Sequence, residues 1–321
     1  MSHTESSTPI ATGSMQPLGA VSLGLTLLTV ALWGGTPTAV KYSLEALPVM
    51  AIACVRFAMA AVFMIVWLRF EGTRLKLEPG QGGPALVMGL LLFAQIALFT
   101  LAIEMSNASH STLFINTFIF WVVGIEHFIT RSERLSTRKI VGLIVAAVGV
   151  LLVLTRAEGG APGESVSAVN VDAPNVWGDV VMLGSAMVLG VKVIYTKQAV
   201  KTVEPGKLIF WHNVIGVMLF GAWSLAFENA TLDKLTPPAV WGLLYQGVVV
   251  AGFCFAVQAY LLKKHSASKI SVFSFATPLF GTTIAVLFRG DELSPWLAAA
   301  AVCVAAGILI VSTTPSGERP A

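Results

Sequence analysis

Apolar residues run along this chain in long blocks, and the polar breaks between the blocks are short. Ten blocks can be drawn, roughly Leu18–Val40, Val49–Leu68, Pro84–Ile103, Ser109–Thr130, Lys139–Leu154, Val176–Thr196, Leu208–Phe227, Ala239–Leu262, Lys269–Phe288 and Pro295–Ser312. A helix needs about 20 apolar residues to cross about 30 Å of hydrocarbon, so each block predicts a membrane-spanning helix. The fifth block is short, and the loop after the eighth is tight. The one long break, Thr155–Val176, is rich in Gly, Ala, Ser and Val and reads as a flexible connector between two halves.

Composition agrees with that solvent. The chain is 55% hydrophobic and 12% charged, with a mean hydropathy of +0.79, whereas soluble domains carry about 25% charged residues. So few charges cannot cover a water-facing surface, and a polytopic all-α membrane protein is expected. Cys54, Cys254 and Cys303 all fall in apolar blocks without a CxxC pair, so buried inert thiols are expected. The polar segment 1–17 lacks the features of a signal peptide, so the first block should remain as a helix.

Lys and Arg placement predicts the orientation. With the N-terminus inside, fourteen of the 20 fall on the cytoplasmic side and four outside (Lys41, Arg156, Lys234 and Arg289), while Arg56 and Lys192 lie within spans. Both termini are therefore expected in the cytoplasm. The expected division is a cytoplasmic tail (1–17), a five-helix repeat (18–154), an outer connector (155–175), a second five-helix repeat (176–313) and a short cytoplasmic tail (314–321).

The halves resemble each other. Arg131–Val153 aligns without gaps on Arg289–Val311, with seven of 23 positions identical. Pro48 falls on Pro205 in a second alignment, offset by 157. Five spans per half is an odd number, so the second copy must enter the membrane upside down. Inverted repeats of this kind are an architecture of secondary transporters.

These residues resemble the EamA family of the drug/metabolite transporter superfamily. Its opening pattern corresponds here to Trp33, Gly34, Lys41, Pro48 and Arg56, its turn to Ser132–Ser136 and Gly290–Ser294, and its proline in the penultimate helix of a repeat to Pro278. Phe120 stands where the first repeat could carry the equivalent proline. Ala251 and Phe255 replace frequent Thr and Tyr, and Gly190 and Val191 replace the second Trp-Gly pair. The resemblance implies a ten-helix inner-membrane transporter of small metabolites, many relatives exporting amino acids or similar compounds. No cofactor, metal or nucleic acid is expected, and either a monomer or a homodimer would suffice.

Several residues are candidates for the pathway. Gly34, Gly35 and Pro37 weaken the first helix, which reads as a hinge or a binding notch, or as a packing notch for close helix approach. Lys41 reads as an interfacial lysine or as an anion or gate residue. Arg56 lies about 12 Å past Pro48, too deep for easy snorkelling, and should face a cavity or tie down carbonyls at a helix end. Trp33, Gln95, Asn116, Asn213, Gln258 and Pro278 complete the expected pathway set. Glu126, Lys192 and His212 each stand five residues from a cytoplasmic basic residue. Glu126 and Lys192 read as a pair forming an inner gate, or as a snorkelling lysine and a solvated carboxylate, with His212 at the same depth. If a proton is the coupling ion, Glu126 and His127 are the titrating candidates.

Rival classes find less support. An embedded enzyme would need a nucleophile-base set or a metal cluster, yet HExxH, GxSxG and GxxxxGK[ST] are absent. A non-transporting sensor would be expected to carry a signalling domain. Substrate identity and the direction of transport stay open.

Overall fold

The computed structural model describes residues 18–105, 111, 114–132, 135–157, 176–231, 233–281, 283 and 295–312. Among them every regular element is helical and no strand occurs. In chain order the rods are α1 (Ala20–Leu44), α2 (Val49–Glu71), α3 (Gly82–Met105) and α4 (Phe114–Ile129), then α5 (Thr137–Ala157) and α6 (Val176–Ala199). There follow α7 (Pro205–Phe227), α8 (Pro237–Lys264), α9 (267–281) and α10 (Pro295–Ser312). Six of them, α1, α2, α3, α6, α7 and α8, are long and apolar enough to cross a membrane. The fourth and ninth predicted spans run into residues outside the described set. So do the tails, most of the connector and the Gly290–Ser294 turn.

Local chemistry sets the helix ends. Pro48 and Glu204 hold extended backbone just before α2 and α7, and Pro205 takes the first position of α7, where a missing N–H costs nothing. Gly72 ends α2 at φ 70°, a conformation open to glycine without strain. The outward faces are apolar: Phe70, Leu225, Phe227 and Trp241 are all strongly exposed. Only hydrocarbon solvates such a surface at low cost, so the chain is a multi-pass membrane protein.

Small residues let the helices approach closely. A Cβ on Gly142 would stand 2.9 Å from the Gly307 carbonyl oxygen, which locks α5 against α10. A Cβ on Gly242 would stand 2.7 Å from the Ala39 oxygen, which draws α8 onto α1. α2 and α7 pack antiparallel: Glu228, at the end of α7, meets the start of α2, and Glu71, at the end of α2, meets the start of α7. Contacts across the halves come in mates: α3 packs on α6 and α7, as α8 packs on α1 and α2.

Candidate functional site

Three helices abandon regular α geometry around one cavity. In α1 the helix breaks at Gly35. Pro37 has no N–H to offer the Trp33 carbonyl, and the Tyr245 hydroxyl donates to the Leu32 carbonyl. In α8, Tyr245–Cys254 is wound as a π-helix, and in α9, Val272–Ala276 is a 3₁₀ turn. Wide or tight turns of this kind free backbone groups and redirect side chains, which is why they collect at functional sites. The cavity, of about 110 Å³, is lined from these breaks by Trp33, Thr36, Pro37, Val250, Ser274 and Thr277, and from other helices by Arg56, Gln95, Phe99, Asn116, Leu189, Phe255 and Gln258 among others. Both halves contribute.

The break at Gly34–Gly35 is also a close-approach notch. A Cβ on Gly34 would lie 2.8 Å from the Gly281 nitrogen and 3.0 Å from the Thr277 oxygen, so α9 crosses α1 backbone to backbone. A Cβ on Gly35 would meet the Tyr245 hydroxyl at 2.8 Å. The packing alternative therefore describes what this segment does in the observed conformation, and the cavity begins directly beside it.

Of the expected pathway residues, the structure brings Trp33, Arg56, Gln95, Asn116 and Gln258 to the cavity wall. Lys41, Asn213 and Pro278 are not on it. Lys41 is half-buried near the end of α1, Pro278 is buried one residue past Thr277, and Asn213 is buried on α7 beside His212. Arg56 is 2% exposed and its guanidinium carbon lies 5.2 Å from the Phe57 ring centre. Among the described residues it has neither a hydrogen bond nor an ion pair, and its Nε is buried without a partner. Burying a cation uncompensated costs several kcal/mol, so an arginine in this state marks a site with work to do. Gln95 is held in place: its amide nitrogen donates to Ser185 at 3.3 Å, and the Ser185 hydroxyl donates back to the Gln95 carbonyl at 2.9 Å.

The expected inner gate needs correction. Glu126 does not pair with Lys192. It accepts from Lys197 Nζ at 2.7 Å and from the Ala267 and Ser268 N–H groups at 3.2 and 3.0 Å. The reason is helical geometry: five residues turn an α-helix about 140° beyond a full turn, so Lys197 faces α4 while Lys192 faces α3. Lys192 Nζ donates to Gln95 Oε1 at 3.4 Å and sits 4.6 Å from the Phe255 ring centre. His212 is fully buried, shares a 3.1 Å hydrogen bond with Asn213, and lies edge-on to Phe57 and Phe255. Lys192 and His212 thus converge on Phe255, beside the cavity, rather than on Glu126. His127 accepts from the Leu135 N–H at 3.1 Å, an ordinary turn-closing role.

One pair of residues escaped sequence reasoning. The Met50 and Ala51 N–H groups donate to Glu228 at 2.9 and 3.0 Å, so the end of α7 caps the first turn of α2. Glu71 stands 157 residues earlier, the offset that relates Pro48 to Pro205. Its carboxylate sits against Gly206 in the first turn of α7, where any Cβ would collide with it. Among the described residues no hydrogen bond joins Glu71 to that turn. The shared offset and the same acid at both helix ends were the available signal.

A sequence profile of the EamA-like transporter family matches residues 20–155 and again residues 176–313. The chain belongs to the EamA-like transporter family. It is 22% identical over 300 residues to the uncharacterized transporter YoaV of Bacillus subtilis, across 93% of this chain and 99% of that protein. It is 24% identical over 298 residues to a probable amino-acid metabolite efflux pump of Salmonella typhimurium, across 89% and 93% of the two chains. A probable amino-acid metabolite efflux pump of Escherichia coli has the same identity and coverage. A solved crystal structure superposes with a TM-score of 0.76 at 17% identity, covering 91% of this chain and 98% of that one, and shares the fold. This is a drug/metabolite-type transporter with the family domain present twice. Among the described residues no group of three His, Cys, Asp or Glu could hold a metal ion.

Proposed function

We propose that this chain is a secondary transporter that carries one small metabolite at a time across the membrane by alternating access, with the cavity beside Trp33 and Arg56 as its binding site. The observation that carries the reading is a largely apolar pocket with a few polar side chains, lined by helices of both family domains at the point where α1, α8 and α9 break. Broken helices facing a protected cavity are how transporters expose polar groups at membrane depth. In this reading ten helices cross the bilayer as two inverted five-helix repeats, with 155–175 outside and both termini in the cytoplasm. Efflux of amino acids or related compounds is the finer assignment, supported by the similarity to the probable amino-acid metabolite efflux pumps of Salmonella and Escherichia.

The two interhelical caps supply a gate. Glu228 holds the outer ends of α2 and α7 together, while Glu71 rests at their inner ends with no hydrogen bond among the described residues. Exchange of the engaged cap from Glu228 to Glu71 closes one side as the other opens. Gly34, Gly35 and Pro37 form the bend that accommodates the change, and Glu126 with Lys197 anchors α4 to α6 and α9 at the inner side.

Counterflow into proteoliposomes loaded with an extract of small metabolites tests the function. A saturable, protein-dependent exchange of one class of solute is expected. Transport no faster than in protein-free liposomes for every solute in the pool refutes it.

A further inference from the structure

We propose that the solute held in this cavity is an anion at the end facing Arg56, a carboxylate or an oxyanion of similar shape on a small, largely apolar frame. The proposal rests on the transporter reading above and names the substrate class of the same site. Two buried basic side chains, Arg56 and Lys192, flank the cavity wall at Gln95 and Phe255 and are 2% and 4% exposed. Lys192 uses one long contact, 3.4 Å to Gln95 Oε1, and the face of the Phe255 ring. Arg56 has five N–H donors, and among the described residues none meets a protein acceptor.

The carboxylates that could have served are engaged elsewhere. Glu126 is taken up by Lys197 and the first turn of α9, and Glu228 by the first turn of α2. Among the described residues nothing anionic therefore stands against Arg56 or Lys192. A guanidinium offers a carboxylate two parallel hydrogen bonds, a match no neutral group reproduces. Thr36, whose buried hydroxyl also lacks a partner, lines the same wall and can donate a further bond. A cationic solute would instead bring another positive charge into a medium of low dielectric, where like charges repel strongly. The rest of the wall, with Trp33, Phe99, Leu189 and Phe255, suits an aliphatic or aromatic frame. A zwitterion qualifies through its carboxylate.

The test compares four probes that share one isobutyl frame: 4-methylpentanoate, leucine, 4-methylpentanamide and leucinamide. Ligand-dependent thermal stabilisation of the full-length protein in detergent, at matched ionic strength, should show half-saturation at least tenfold lower for the two carboxylates than for the two amides. Arg56→Lys should keep that order with weaker binding, and Arg56→Gln should abolish it. If Arg56→Gln does not fold, the wild-type order alone decides. Equal or tighter binding of either amide, or no wild-type response to the carboxylates, overturns the proposal. The same probes in proteoliposomes separate the two readings. Carboxylate binding without flux defeats the transporter and leaves the anion site standing, whereas saturable flux of an amide without carboxylate preference defeats the anion site and leaves the transporter.

Discussion

Neutralising Glu126 isolates the tie among α4, α6 and α9. Glu126 is 1% exposed, and its carboxylate receives one ammonium and two backbone N–H groups, at 2.7, 3.2 and 3.0 Å. Glu126→Gln keeps the shape but leaves Lys197, with a side chain 10% exposed, as a buried cation without its counter-charge. Removing one partner of a buried pair costs about 3–5 kcal/mol. Lys197→Met should cost less, because the remaining carboxylate keeps both N–H donors. The double variant Glu126→Gln, Lys197→Met removes the stranded charge and retains one carbonyl oxygen for α9, so its deficit should fall to about 1–3 kcal/mol, the cost of one unsatisfied donor. Unfolding of purified protein in mixed dodecyl maltoside and SDS micelles, followed by tryptophan fluorescence, measures all three. A loss under 1 kcal/mol for Glu126→Gln, or a double variant less stable than that single one, refutes the reasoning.

Other outcomes follow from the same structure. Gly34→Ala places a methyl 2.8 Å from the Gly281 nitrogen and should cost about 1–3 kcal/mol by overpacking, with slowed counterflow. Gly24→Ala, which meets nothing within 4 Å, should be neutral in both assays. Glu228→Ala releases the first turn of α2, so a single cysteine at Ala46 in a cysteine-free background should react several-fold faster with an impermeant reagent added outside. Glu71→Ala should leave that rate unchanged or lower it. Glu204 precedes α7, and its own backbone N–H, then Lys207 at 3.0 Å, hold its carboxyl below the usual range. Its stabilisation is therefore present above the ordinary glutamate pKa and lost as pH falls through the lowered value. Glu204→Gln should remove that share of acid sensitivity, measured as unfolding between pH 7 and pH 3.

That Arg56 and Glu126 would be buried was legible from counting along a helix, whereas partnership was not. Arg56 could be placed in the hydrocarbon from its distance past Pro48, and Glu126 from its distance before Arg131. The pairing of Glu126 with Lys192 failed because equal depth says nothing about azimuth, and five residues rotate a side chain to another face. The Gly34–Gly35 break was visible as composition. That its neighbours would be Gly281 and Tyr245, more than 200 residues later, was not.

By itself the sequence determined the solvent, the helical class, the doubling and the family, because apolar block length and repeat offset are properties of the linear chain read against a bilayer of known thickness. The tertiary structure alone decided which helix breaks meet at one cavity, which acids are spent as caps, and that Arg56 is left without a counter-charge among the described residues. Those facts depend on crossing angles and helix rotation, which arise from contacts between residues far apart in the chain.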